Sequence, residues 1–301
     1  MKNRLEYILF RVFVNIQAIT PFWLMYLKSD VAAFLMYSVI GYRKKVVRHN
    51  LERSFPDKSE NEITGIQKKF YRHLTDVFFE TAKGMTCKPE RLCRRYTISN
   101  PEVADKFARK GKDVIFLASH YGNWEWGMQC FNILLQHQSI SLYLPLKNKF
   151  SEKYGIRKRT RTGMQLVPVQ ETKTAFQNKQ NKPLGFIMAA DQTPSNMKKC
   201  HWLTFMHQNT PCIHGPEAYA RKLKLPLIFV DVRKVKRGHY DIQLEEIPFD
   251  PDREAPGMLT CRYMKKLESV LEQEPAYWLW SHRRWKRKVP ENIDKIRITC
   301  T

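Results

Sequence analysis

His120 and Glu125 stand five residues apart in the stretch 114–125, VIFLASHYGNWE. An imidazole takes up a proton near neutral pH, and a carboxylate about one helical turn away can fix its tautomer and stabilise its charged form. That pairing suits general-base work on a hydroxyl. The bland alternative is a loop histidine followed by an acid that the helix dipole favours in a first turn. The surrounding elements favour a site. Residues 114–118 are a β-branched and aromatic run, the pattern of a buried strand. Residues 119–122 are a turn signal, Asn123 can cap a new helix, and Trp124, Met128, Phe131 and Leu135 continue it at helical spacing. His120 is therefore expected at the carboxyl end of a strand, where open α/β sheets gather ligands.

The chain has 301 residues, enough for a sizeable core, and 52 Lys and Arg against 29 Asp and Glu give a net charge of +23. That excess points to anionic partners: nucleic acid, an anionic membrane surface, a phosphorylated substrate or an acidic carrier protein. No recognition-helix, zinc-finger or RNA-binding pattern accompanies the charge, which argues against nucleic acid. Seven cysteines form an odd set with no CxxC pair, so no disulfide scaffold is implied and a reducing compartment is expected. Cys200, His201, His207, Cys212 and His214 can be drawn as a zinc site. Their spacing matches no common finger or ribbon and the segment reads as a loop, so no metal and no cofactor is expected.

The N-terminus is apolar. Residues 12–27 (VFVNIQAITPFWLMYL) and 31–40 follow one another, with Asn15, Gln17 and Pro21 interrupting the first run. It is short for a spanning helix and lacks a cleavage site, so a membrane anchor or a hairpin in one leaflet is expected, with two buried core helices as the soluble alternative. Arg43, Lys44, Lys45, Arg48 and His49 follow, placed to meet anionic headgroups on the cytoplasmic side. From Glu60, apolar residues at spacings of three and four predict a long helix, with no role given to Glu80.

Beyond Pro101 the patterns alternate. Helices are expected near 102–110, 123–137, 149–160, 171–180 and 213–224. Strands are expected at 114–118, 140–145, 164–169, 184–190, 226–232 and 240–247. The expected fold is α/β, a mixed, largely parallel sheet flanked by helices, behind an N-terminal apolar helical anchor. The division is 1–40 as anchor and 41–301 as one catalytic domain.

Six segments, in order, resemble the late acyltransferases of lipid A biosynthesis, relatives of the glycerolipid acyltransferases with their histidine-x4-acid motif. The segment 120–125, HYGNWE, fits that motif. The basic lead-in 42–51 with Ser54-Phe55-Pro56 resembles the N-terminal signature. Residues 143–148, YLPLKN, resemble a tyrosine-arginine-proline…asparagine segment, with Leu144 where relatives often carry arginine. Arg159 and Arg161 fall where the family carries arginines, Asp191-Gln192 matches its aspartate-glutamine element, and 275–286 resembles its tryptophan, histidine and double-arginine ending.

The resemblance implies O-acyl transfer from an acyl carrier protein thioester to a hydroxyl of a lipid A precursor, at the cytoplasmic face of the cell inner membrane. An acyltransferase acting on another membrane lipid, an aminolipid or lysophospholipid, is the alternative. In this reading His120 is the base and Glu125 orients it. Substrate contacts are assigned to Lys147, Asn148, Arg159, Arg161, Asp191, Gln192, Arg283 and Arg284. Guanidinium groups suit phosphate or oxyanion oxygens because they bind them through two parallel N–H groups. No serine or cysteine sits in a nucleophile-elbow sequence, so direct attack by the acceptor hydroxyl is expected rather than an acyl-enzyme.

Overall fold

The computed structural model describes residues 2–178 and 180–300. Its helices are α1 (Lys2–Ile19), α2 (Phe22–Phe34), α3 (Lys44–Ser54), α4 (Glu60–Gly84), α5 (Pro89–Cys93), α6 (Glu102–Ala108), α7 (Trp124–Leu134), α8 (Lys149–Arg159), α9 (Thr172–Gln177), α10 (Gly215–Leu223), α11 (Met258–Gln273) and α12 (Ile293–Ile296). Its strands are β1 (Tyr96–Ile98), β2 (Val114–Ala118), β3 (Gln138–Tyr143), β4 (Gln165–Pro168), β5 (Leu184–Ala189), β6 (Cys200–Phe205), β7 (Gln208–Ile213), β8 (Leu227–Lys236) and β9 (His239–Ile247).

Seven strands form one sheet in the order β1-β9-β8-β2-β5-β3-β4. Every neighbour pair is parallel except β8 with β9. This is the expected α/β class with a mixed, largely parallel sheet flanked by helices. β2 shows why its sequence does not alternate. Val114, Ile115, Phe116 and Leu117 are all buried, because helices cover both faces of a parallel sheet. Each such side chain contributes about 1.5–3 kcal/mol on burial. In register, Ala118 of β2 lies opposite Ala189 of β5. The loops leaving these two central strands therefore emerge side by side at the carboxyl edge.

α4 begins in a reciprocal cap: Glu62 N donates to Ser59 Oγ, and Ser59 N donates to Glu62 Oε2. The apolar N-terminus breaks at Thr20-Pro21, inside the stretch 12–27, because proline has no N–H to continue the first helix. Lys83 from α4 closes that break. Its ammonium donates to the carbonyls of Gln17, Ala18 and Thr20, the orphan acceptors at the end of α1. α2 runs on through a π-helical turn to Ile40, so Phe22–Ile40 is 19 residues long and apolar enough to cross a membrane. Its outer face exposes Trp23, Leu27, Val31 and Phe34, and α1 exposes Leu5, Leu9, Val12 and Ile16. The inner faces are tied to α4 by polar groups. Ser29 donates to Asp76, and Arg237 bridges Asp30 and Asp76.

Several elements fall outside the expected set, α5 and α12 among them. β1 is only three residues long. α11 lies in 258–273, beyond the last expected strand. The segment 200–213, expected as a loop, is the hairpin β6–β7. Its two-residue turn places Met206 and His207 at φ of 49° and 62°. Such a turn usually announces itself with Asn-Gly or Asp-Gly, and here neither is present. The zinc-like residues are spread along this hairpin, and no group of three or more metal-binding side chains forms among the described residues. Cys261 and Cys300, 39 residues apart, form a disulfide between α11 and the C-terminal segment. The sequence implied no disulfide scaffold, and the spacing carried no sign of this single pairing, which only the tertiary fold creates.

Candidate active site

His120 follows β2 by two residues and Asp191 follows β5 by two. The strand register therefore sets them face to face. His120 Nδ1 lies 2.8 Å from Asp191 Oδ1, and His120 N donates to Asp191 Oδ2 over 2.9 Å. Trp278 Nε1 donates to the same Oδ2 over 2.8 Å. Asp191 is 1% exposed, so its three donors leave it well satisfied in a dry place. Burial alone would raise its carboxyl, but the charge and hydrogen bonds of His120, with the indole of Trp278, hold it at about 2. For His120 the balance runs the other way: burial lowers its pKa, while Asp191 first and Glu125 second outweigh burial and raise it above the ordinary value. With Nδ1–H donated to Asp191, Nε2 carries the free lone pair.

The turn that carries His120 is held from several sides. Leu279 N donates to His120 O, and Gly122 N donates to Tyr277 O. Tyr263 Oη donates to Ala118 O at the strand end. His73 Nε2 donates to Gly122 O, and burial, then the charge of Lys234, keep that ring neutral with a pKa of about 3. Gly122 has φ +60°, and a Cβ there would meet Val232 Cγ1 at 2.5 Å, so a side chain fits neither the backbone nor the space. Asn123 caps α7 by accepting from Trp126 N, as its type and position led one to expect.

Glu125 makes a different contact from the expected one. It does not hydrogen-bond His120. Its two oxygens accept from Arg159 Nε and Nη2, each at 2.9 Å. Residue 125 lies in the first turn of α7, which aims its carboxylate across the cavity at α8, while Asp191 has already taken Nδ1. Asp191, assigned to substrate from the sequence, is the acid that holds the imidazole.

His120, Glu125, Arg159 and Gln192 line one cavity of about 750 Å³. Its walls are largely apolar, including Phe131, Met128, Leu142, Ile156, Ile187 and Val230. Such a space suits a long hydrocarbon beside a small polar site, since each buried methylene is worth roughly 0.8 kcal/mol.

The other expected contacts lie elsewhere. Asn148 caps α8, accepting from Phe150 N and Ser151 N, and donates to Asn3 O of α1. Lys147 is exposed and does not line the cavity. Arg161 donates to Gly84 O at the end of α4, also outside the cavity lining. Arg283 is exposed beside the loop after β5, where its carbonyl accepts from Thr193 Oγ1. Arg284 is fully buried, donating to Pro211 O and Cys212 Sγ. It fastens the β6–β7 hairpin and is out of reach of a substrate. The tryptophans of the ending are in the core as well: Trp278 and Trp280 are buried. In the basic cluster after the N-terminal helices, Arg43 donates to Ser281 O and Arg48 pairs with Glu52 and Glu60, while Lys45 and His49 are exposed.

Glu80, given no role from the sequence, is a hub. It is fully buried and accepts from Tyr26 Oη, Tyr240 Oη and the side chain of Asn123. Burial, then the charge of Asp76, push its carboxyl up to about 7.

A histidine held by a buried aspartate, lining a largely apolar cavity on the carboxyl edge of a parallel sheet, suits transfer chemistry on a long-chain substrate. The comparisons make that class definite. A family model described as bacterial lipid A biosynthesis acyltransferase matches residues 3–287, and the chain belongs to that family. It is an acyltransferase of lipid A biosynthesis type. It is 24% identical over 259 residues to the lipid A biosynthesis lauroyltransferase of Escherichia coli (strain K12), covering 83% of this chain and 81% of the relative. It is 21% identical over 252 residues to the lipid A biosynthesis palmitoleoyltransferase of the same organism, covering 82% and 79%. A lipid A biosynthesis acyltransferase of Shigella flexneri matches to the same extent.

Proposed function

We propose that this enzyme moves a fatty acyl chain from an acyl carrier protein thioester to a hydroxyl of a lipid A precursor. The observation that carries the reading is the His120–Asp191 pair at the largely apolar cavity, in a chain of this family. His120 Nε2 takes the proton of the acceptor hydroxyl as its oxygen attacks the thioester carbonyl. The tetrahedral intermediate then collapses, the carbon–sulfur bond breaks, and the imidazolium returns the proton to the leaving thiolate. Asp191 holds the tautomer and stabilises the imidazolium. Arg159, fixed by Glu125, keeps Nη1 unengaged among the described residues and serves the developing oxyanion, together with Gln192.

Residues 1–40 form the membrane-seating unit of this reading and 41–301 the acyltransferase domain, at the cytoplasmic face of the inner membrane. The exposed apolar faces of α1 and α2 support it. The net charge of +23 supports an acidic carrier protein as donor, through long-range steering. The test compares acyl transfer from carrier-protein and coenzyme A thioesters of the same chain across ionic strength. The carrier-protein donor should be favoured at low salt, with the advantage shrinking as salt rises. Equal rates from both donors at every salt concentration would remove the carrier protein from the reading.

A further inference from the structure

Three cations converge on one buried ring where α1 meets α8. Arg11 Cζ lies 4.4 Å from the centroid of Tyr154, Lys158 Nζ 5.5 Å and Arg157 Cζ 5.8 Å. Arg161 is close enough to be felt: loss of water, then the charges of Arg161, Arg157 and Arg11, lower the Lys158 ammonium below its ordinary value. None of these four cations forms an ion pair among the described residues, whereas Arg48, Arg72, Arg159, Arg221 and Arg237 all do. Arg11 Nε and Arg161 Nε are moreover buried N–H groups with no acceptor. Glu90 offsets some of the charge at Arg161 without bonding to it. Like charges held together, with unspent donors and no carboxylate bonded to them among the described residues, call for an anion.

The surroundings say which anion. Tyr7, Phe150 and Tyr154 hold the seam together by ring contacts of 5.9 Å and 6.4 Å. Beside the cations, Leu5, Leu9 and Val12 of α1 and Phe150 of α8 are exposed. Cations bordering an exposed apolar helix face are the arrangement of a protein seated at a membrane surface, where the apolar face enters the acyl region and the cations meet phosphates.

We propose that the α1–α8 seam is a phosphate-binding site, in which Arg11, Arg157, Lys158 and Arg161 hold the headgroup phosphate of an anionic membrane lipid. It rests on the membrane-seated reading of α1 and α2 and is independent of the chemistry at His120. It also moves the headgroup contact away from the engaged Arg43 and Arg48.

The experiment is co-flotation of the full chain with vesicles of phosphatidylcholine alone or mixed with phosphatidylglycerol. The wild type should float with both and prefer the anionic vesicles on the order of tenfold. The double variant R157E/K158E should keep its binding to phosphatidylcholine and lose the anionic preference. The matched reversal R109E/K110E, at exposed positions after α6, should keep it. Circular dichroism checks folding, and R157Q/K158Q supplies a milder second variant expected to lose part of the preference. An undiminished preference in R157E/K158E, or an equal loss in R109E/K110E, would overturn the site. A wild type that floats with neither vesicle would overturn the membrane reading and with it the lipid as ligand. Inorganic phosphate then separates the two failures: at fixed ionic strength it should raise the Tm of the wild type and not of R157E/K158E. Equal shifts in both proteins would overturn the cation site itself.

Discussion

Asp191 holds His120 at two points, with Oδ1 on the ring nitrogen at 2.8 Å and Oδ2 on the backbone amide at 2.9 Å. One carboxylate thus sets both the tautomer of the imidazole and the path of the chain that carries it. The in-register pair Ala118 and Ala189 creates this relationship, because residues two beyond each partner emerge from adjacent parallel strands. The pair is a property of the sheet rather than of the local motif around residue 120.

Asp191→Asn should therefore slow acyl transfer by about a hundredfold or more, since general-base assistance is worth roughly 10²–10⁴-fold. The pH profile should shift as well. Asp191 raises the His120 pKa above its ordinary 6.5, and the base works only when neutral. The acidic limb of the wild-type kcat/KM profile should accordingly lie above pH 6.5, and in Asp191→Asn it should move down. A profile with an unmoved limb and an unchanged rate would separate Asp191 from His120 in function.

Glu125 and Arg159 should behave as one unit. Each half of the pair depends on the other for its position, so Glu125→Gln and Arg159→Gln should each reduce kcat, and the double variant should be little worse than either single one. A double-variant cycle on acyl-transfer rates makes the check. Losses that multiply would mean that the two residues contribute separately, with Glu125 acting on His120 directly.

Stability should carry the mark of Glu80. Its folded pKa of about 7 lies above the ordinary 4.5, so the folded state keeps a proton that the unfolded chain releases. That contribution is full below pH 4.5 and is lost as pH rises toward 7. His120 adds in the same direction, with stability present below 6.5 and lost as pH rises through its elevated pKa. Asp191 acts oppositely, with stability present above 3.8 and lost as pH falls through about 2. Denaturant unfolding at pH 5 and pH 8 should show wild type losing more stability than Glu80→Gln over that interval. Equal losses in both proteins would place the titration elsewhere.

The sequence made the central strands, the cap at Asn123 and the long helix α4 legible, because each rests on local physics: apolar runs, capping side chains and helical spacing. His120 was legible as a residue just beyond the carboxyl end of β2. Its partner was not, since the five-residue spacing to Glu125 is local and the contact to Asp191 crosses two strands. Arg284 shows the same limit from the other side. A run of arginine and lysine reads as a solvent face, yet this guanidinium is buried under the β6–β7 hairpin, itself hidden by a turn without glycine. Glu80 and the Cys261–Cys300 bridge depend wholly on what the fold brings together.

The most direct test of the account is single-turnover acyl transfer to a lipid A precursor by purified His120→Ala, at saturating donor, with circular dichroism as the control for folding. In the variant Asp191 keeps the backbone amide of residue 120 and the Trp278 indole as donors, so the protein should fold as the wild type does. Its chemical step should be slower by roughly 10²–10⁴-fold, the range for loss of a general base, and should lose the acidic limb of the wild-type pH profile. A folded His120→Ala enzyme that turns over at near-native rate with that limb intact would contradict the assignment of the base and the mechanism built on it.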